Sequence, residues 1–152
     1  MKVNFNGATF QKENLVGLGC VVRNDEGLVM VAFTQIILLP TSVEMVEVLA
    51  TRSAIGFAQE LSLNQVIFEG DLETIIRALS KGGFESSSIG HIIRDIKLLS
   101  SAFQNFSFCH TRRQGNRVAY RLARSACKIS HFHVWMEDLP PDIVSVYHSN
   151  LP

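Results

Sequence analysis

The sequence predicts one α/β domain, built on a mixed sheet of five strands with helices on both faces. Three strand-like segments come first, and the later strand-like segments alternate with amphipathic helices. The chain has 152 residues, which is the size of one common domain. Its composition is 47% hydrophobic and 18% charged, which is typical of a folded chain and not of a disordered one.

The first quarter of the chain predicts three antiparallel strands. Residues 2–6 alternate between apolar and polar side chains, which places Asn4 and Asn6 on the same face of the first strand. Residues 17–23 and 28–37 are strand-like as well, and the short glycine-containing turn between them predicts a hairpin.

A long helix is predicted next, from Thr41 to about Leu61. Thr41 followed three residues later by Glu44 is a capping-box pattern. The apolar stripe of this helix has one acidic member, Glu47. A carboxylate that faces the core is costly unless it is paired, hydrogen-bonded or bound to a metal. Glu47 is therefore a candidate site residue, or else it lies at the edge of the stripe and reaches water.

The strand predicted at residues 66–70 delivers Asp71 to the start of a helix over residues 72–80. In open α/β sheets, functional groups lie at this end of the strands, so Asp71 is a second candidate site residue. Asp is also common as the N-cap of a helix. The two interpretations are compatible, because a capping carboxylate can also face a cleft.

The last part of the predicted domain is basic. Residues 88–103 predict a helix, residues 106–110 a final strand, and residues 118–127 a last helix. No acidic residue lies between Asp95 and Glu137, although that segment holds half of the 14 lysine and arginine residues. Five of them follow helical spacing along one face: Arg113, Arg117, Arg121, Arg124 and Lys128. This face is either an ordinary solvated surface or a surface that binds phosphates.

Charge, cysteine content and hydropathy exclude several classes of protein. The 14 basic and 14 acidic residues cancel, so the basic face is a local feature and not the result of a basic chain. Three cysteines without CxxC spacing argue against a disulfide framework and a zinc site. No signal-peptide pattern is present, and the longest apolar run is far shorter than the ~20 residues that span a bilayer. We expect an intracellular protein, nuclear or cytoplasmic, without a membrane partner.

Four stretches together resemble a known family. Their sequences are KVNFNGA at residues 2–8, VEVLA at 46–50, FEGD at 68–71 and RRQGNRVAYRLA at 112–123. Their order and spacing are similar to those of RNase H-like domains, most closely the reverse-transcriptase-associated RNase H-type domains that are abundant in plant genomes. The resemblance implies an RNase H-like domain over residues 1–130, with residues 131–152 as a tail that packs on it or trails from it.

The resemblance also implies a chemistry. In this family four carboxylates hold two divalent cations, usually magnesium, which drive hydrolysis of an RNA–DNA hybrid. Residue by residue, Glu47 and Asp71 match two of the four and would be the metal ligands. The other two positions hold Asn6 and Tyr120, which supply no negative charge. We therefore expect weak binding of a single Mg²⁺ or Mn²⁺ at best, and little or no hydrolysis.

The partner that the resemblance implies is nucleic acid, as an RNA–DNA hybrid or another duplex bound by a monomer. The side chains expected to contact it are Arg112, Arg113, Asn116, Arg117 and Arg121. Three functions remain open at this point. The domain is a nuclease with full or residual activity, a non-catalytic nucleic-acid-binding module, or a retroelement-derived domain that binds proteins or has decayed.

Overall fold

A computed structural model of the protein describes residues 1–83 and 87–149, which form one sheet and the helices that cover it. The strands are β1 (Lys2–Phe10), β2 (Leu15–Arg23), β3 (Val29–Leu38), β4 (Gln65–Gly70), β5 (Asn105–His110) and β6 (Phe132–Met136). The helices are α1 (Val43–Glu60), α2 (Glu73–Lys81), α3 (Gly90–Ser100), α4 (Arg117–Ser125) and α5 (Pro141–Ser149). Residues 150–152 of the predicted tail lie outside the described part.

The sheet is mixed, with the strand order β5-β4-β1-β2-β3-β6. Strands β1, β2 and β3 form the predicted antiparallel meander, and β4 and β5 run parallel to β1. The predicted α/β class with helices on both faces is confirmed. The sheet has six strands where the sequence predicted five, because β6 pairs antiparallel with the free edge of β3. A backbone edge of this kind can pair with any extended segment that reaches it.

Two hydrophobic clusters hold the helices on opposite faces of the sheet. The larger one packs α1, α2 and α3 against the sheet around buried side chains such as Phe5, Phe33 and Phe68. The smaller one packs α4 and α5 against β2 and β3 around Val21 and Leu122. None of the helices in residues 1–83 and 87–149 is long and apolar enough to cross a membrane.

Two helix starts differ from those predicted. The N-cap of α1 is Ser42, whose hydroxyl accepts a hydrogen bond from the backbone N–H of Met45 at 3.1 Å, so the predicted Thr41 cap is wrong by one residue. The N-cap of α2 is Leu72, without a side-chain cap. Asp71 therefore does not cap α2, and its carboxylate is free to take part in the site described next.

Candidate active site and nucleic-acid interface

The fold brings Asn6, Glu47 and Asp71 to one place. Strands β1 and β4 are parallel neighbours in the centre of the sheet, so Asn6 in β1 lies beside the end of β4 where Asp71 follows. The Asn6 Nδ2 donates a hydrogen bond to Asp71 Oδ2 at 3.2 Å. Helix α1 packs on β1 and carries Glu47 close enough for the charge of Asp71 to act on it.

Glu47 is buried, with 5% of its surface exposed, so it does not reach water at the edge of the helix stripe. Burial, and after it the negative charge of Asp71, raise the pKa of Glu47 to about 8, although a backbone hydrogen bond with Leu72 acts in the opposite direction. Its Oε1 atom has no hydrogen-bond partner among the described residues. A β-carbon on Gly70 would lie 2.9 Å from that oxygen, so the glycine leaves room for the carboxyl group. Glu47 is therefore mostly protonated at neutral pH.

The Asp71 carboxylate lies beside two groups that compensate a negative charge. The same oxygen that accepts the bond from Asn6 lies 3.8 Å from the Nε of Arg113. The Asp71 side chain is only 16% exposed, whereas that of Arg113 is 64% exposed. Asp71 therefore has an amide donor on one side and a guanidinium on the other.

Tyr120 contacts the same arginine. It projects from α4, and the central carbon of the Arg113 guanidinium lies 4.4 Å from the centre of its ring. A cation placed over an aromatic face at this distance is attracted by the ring. The resemblance implies an acidic side chain at the position of Tyr120. Here the ring of Tyr120 attracts the guanidinium of Arg113 instead.

The residues present do not fit the two-cation site that the resemblance implies. Hard divalent cations need several oxygen ligands, most of them anionic. Here only Glu47 and Asp71 carry carboxyl groups, Asn6 and Tyr120 stand at the other two positions, and Asn6 turns an N–H toward Asp71. In the described part of the chain, His, Cys, Asp and Glu nowhere gather in threes that could hold a metal ion.

Asn116 is not placed to contact a ligand, contrary to the expectation from the resemblance. Only 1% of its surface is exposed. Its Nδ2 donates to the backbone carbonyl of Phe5 at 2.9 Å, and its Oδ1 accepts from Asn4 at 3.1 Å. Both ends of the amide are thus used inside the protein, where they tie the start of α4 to β1. Asn116 positions the basic helix and does not present itself to a partner.

Sequence reasoning missed the polar network around Asn4. Its Nδ2 also donates to Glu69 at 2.9 Å, and its Oδ1 accepts from Arg23 at 2.8 Å. The ammonium group of Lys2 lies 3.6 Å from the same Glu69 carboxylate. The alternation of β1 carried the signal, because it placed Asn4 on the same face as Asn6. The network satisfies a set of polar groups beneath the site and so fixes β1, β4 and the start of α4 relative to one another.

The five residues of the predicted basic face are all exposed. Together with the exposed Arg112 we call them the basic surface: Arg112, Arg113, Arg117, Arg121, Arg124 and Lys128. Two of its members are anchored weakly, since Arg117 lies 3.4 Å from the hydroxyl of Ser149 and Arg124 lies over the ring of Phe10. A cavity of about 420 Å³ opens on this surface, lined by Arg113, Gln114, Arg117, Tyr120 and Arg121. Because Arg113 also contacts Asp71, the cavity adjoins the site.

Strand order and site position together define an RNase H-like fold, with Asp71 at the end of a central parallel strand and Glu47 on the helix that packs beside it. The chain belongs to the reverse transcriptase-like family, whose model matches residues 4–126. Strand β6 and helix α5 follow the matched segment.

Solved structures show the same fold at low sequence identity. The chain superposes on RNase H1 from the archaeon Halobacterium salinarum with a TM-score of 0.71 and 21% identity, over 85% of this chain and 98% of that one. The LC11-RNase H1 complex with an RNA/DNA hybrid gives 0.73 and 19%, over 84% and 96%. The RNase H domain of rv2228c from Mycobacterium tuberculosis gives 0.73 and 18%, over 84% and 92%. None of the curated proteins compared with the chain matches it.

Proposed function

We propose that this protein is a nucleic-acid-binding domain of the RNase H type in which metal-dependent hydrolysis is absent or strongly reduced. The observation that carries the proposal is the position of Arg113, which belongs to the basic surface and contacts Asp71 at the same time. The surface suited to phosphates and the place of the former chemistry are therefore one continuous region.

Charge supports the binding part of the proposal. The six cations of the basic surface are exposed, and no acidic residue lies among them in the sequence between Asp95 and Glu137. Arginine side chains that replace the counterions of a nucleic-acid backbone gain affinity through counterion release. One structural relative was solved in complex with an RNA/DNA hybrid, and we propose the same class of partner for this chain. All of these groups come from one chain, so we propose that a monomer in the nucleus or cytoplasm suffices.

The donor set supports the loss of hydrolysis. Two divalent cations carry four positive charges, whereas Asp71 and Glu47 together offer at most two negative charges. Asn6 and Tyr120 add none. Charge left unbalanced to this degree in a partly buried cleft is strongly unfavourable.

A residual nuclease is the second candidate, and one observation favours it. The buried Oε1 of Glu47 has no partner among the described residues and lies close to Asp71. A single Mg²⁺ or Mn²⁺ would satisfy both carboxyl groups and draw the proton from Glu47. Such an ion would be bound weakly, since Asn6 supplies only a neutral oxygen.

Titration of labelled duplexes by fluorescence anisotropy tests the proposal. We expect an RNA–DNA hybrid to bind in EDTA, with an affinity that falls steeply between low and high salt. Duplex DNA and duplex RNA, titrated in parallel, define the preference. Absence of salt-sensitive binding to all three would contradict the proposal and favour a role in protein binding. Cleavage in magnesium would favour the second candidate.

Replacing Arg117 and Arg121 with alanine, singly and together, should weaken binding without preference for sequence. Each lost phosphate contact should make the plot of log affinity against log salt less steep, by about one unit of slope. Arg94→Ala is the matched control, because Arg94 is an exposed arginine on α3, away from the basic surface. An equal loss in the control would show that net charge, and not this surface, determines the binding.

A further inference from the structure

We propose that Arg113 takes the place of a metal cation at Asp71 and makes a metal-independent binding site for one phosphodiester group. The inference rests on the proposed function, since it names the atoms that would hold the backbone of the bound nucleic acid. Its starting point is the mismatch between the side chains present and a two-cation site.

Arg113 is held from two sides. Its Nε lies 3.8 Å from Asp71 Oδ2, and the central carbon of its guanidinium lies 4.4 Å from the centre of the Tyr120 ring. Together these contacts restrict the position of the group. Its two terminal nitrogens have no hydrogen-bond or ion-pair partner among the described residues. Those nitrogens form the fork that matches two phosphate oxygens.

Asn6 and Tyr120, which take the place of two metal ligands, also form the surroundings that bind Arg113. Asn6 leaves Asp71 as the main negative charge, which a single guanidinium can balance, and Tyr120 offers an aromatic face. A carboxylate at either position would add a negative charge that repels a phosphate and competes for Arg113. Asn6 and Tyr120 therefore act together. With them, the site carries the positive charge of Arg113 in place of bound divalent cations.

The adjoining cavity is suited to a phosphate. It measures about 420 Å³, and Arg117 and Arg121 line it together with Arg113, Gln114 and Tyr120. No acidic side chain is among these lining residues. A phosphodiester placed there meets three guanidinium groups, while Asp71 stays behind Arg113 as a positioning residue.

Stability alone does not account for the arrangement. The Arg113 side chain is 64% exposed, and ion pairs with an exposed partner contribute little to folding. A cation that two contacts hold at such an exposed position is instead suited to recognition.

The test compares hybrid binding in EDTA and in excess magnesium at matched ionic strength. We expect wild-type affinity to be no higher in magnesium than in EDTA, because magnesium competes for the phosphates and takes no part in the site. Arg113→Ala should weaken hybrid binding roughly tenfold or more, because one charge-assisted contact is lost. Arg113→Lys should recover only part of that affinity, because an ammonium group cannot form two parallel bonds to a phosphate. Tyr120→Phe should bind like wild type, since the ring is retained, whereas Tyr120→Ala should bind more weakly.

A double-mutant cycle separates positioning from a general effect on the fold. If Tyr120 acts through Arg113, the losses of Arg113→Ala and Tyr120→Ala will not add in the double variant. Circular dichroism confirms that each variant is folded. Additive losses or wild-type affinity in Arg113→Ala would each overturn the inference while leaving the proposed function intact. A wild-type protein that binds only with magnesium would overturn the inference and also contradict the binding in EDTA that the proposed function expects. A wild-type protein without salt-sensitive binding would instead overturn the proposed function.

Discussion

Replacing Glu47 with glutamine should stabilise the protein at alkaline pH and change its stability little in acid. In the folded protein, burial and the charge of Asp71 raise the pKa of Glu47 to about 8, from an ordinary value of 4.5. The glutamine side chain has the same shape and never ionises. The variant therefore removes the cost of a buried charge and keeps the packing of α1.

The sign of the pH dependence follows from proton linkage. Below about pH 4.5 Glu47 is neutral in both the folded and the unfolded chain, so it costs nothing. Between about pH 4.5 and 8 the folded state keeps a proton that the unfolded state has released, and stability falls as pH rises. Above about pH 8 the full cost is present, on the order of 3–5 kcal/mol at 1.36 kcal/mol for each unit of pKa.

Urea unfolding of wild type and Glu47→Gln at pH 5 and pH 9 measures this difference. We expect similar free energies of unfolding at the lower pH and a clearly higher value for the variant at the higher pH. Glu60→Gln is the matched control, because Glu60 is exposed at the end of the same helix. Parallel pH profiles for wild type and Glu47→Gln would show that Glu47 is not the buried proton carrier.

Gly19→Ala should destabilise the protein by about 3 kcal/mol, the upper part of the range for overpacked cores. A β-carbon at Gly19 would contact the backbone carbonyl of Ala119 and would lie 2.5 Å from the backbone nitrogen of Ala123. These are backbone atoms of α4, which cannot turn aside as a flexible side chain can. The helix would have to move off β2, and the basic surface would move with it.

Gly56→Ala provides the matched comparison. Gly56 lies in α1, and a β-carbon there would have no neighbour within 4 Å. Alanine favours a helix over glycine by roughly 0.5–1 kcal/mol, so this variant should be neutral or slightly more stable. Chemical denaturation of both variants measures the difference. A Gly19→Ala variant as stable as wild type would contradict the close approach of α4 to the sheet.

Periodicity predicted the elements that determine the position of the site. Alternation in β1 and the acidic end of β4 are properties of single segments, and the helical stripe with Glu47 needs only a count of positions. Their convergence follows from topology, since parallel central strands bring Asn6 and Asp71 to neighbouring places.

Features that depend on tertiary contacts could not be predicted in the same way. Strand β6 forms because its residues pair with the free edge of β3. The sequence of residues 132–136 does not by itself indicate that pairing partner. The burial of Asn116 depends on the turn at residues 113–116, which directs its amide toward Asn4. The contact of Arg113 with the Tyr120 ring joins a side chain of that turn to a side chain of α4, which follows the turn.

The double variant Asn6→Asp, Tyr120→Asp tests whether these two positions limit hydrolysis. In this variant four carboxylates would face the site. Cleavage by the variant alone would assign the limit to these two residues, and its absence would show that the surrounding site also lacks what hydrolysis needs.

The most direct measurement of the central claim is a cleavage assay of the wild-type protein on an RNA–DNA hybrid with Mg²⁺ or Mn²⁺, run beside a binding assay of the same samples. We predict a hybrid that is bound and stays intact. Metal-dependent cutting that disappears in Asp71→Asn would contradict the claim, because it would show that the site around Asp71 still performs hydrolysis.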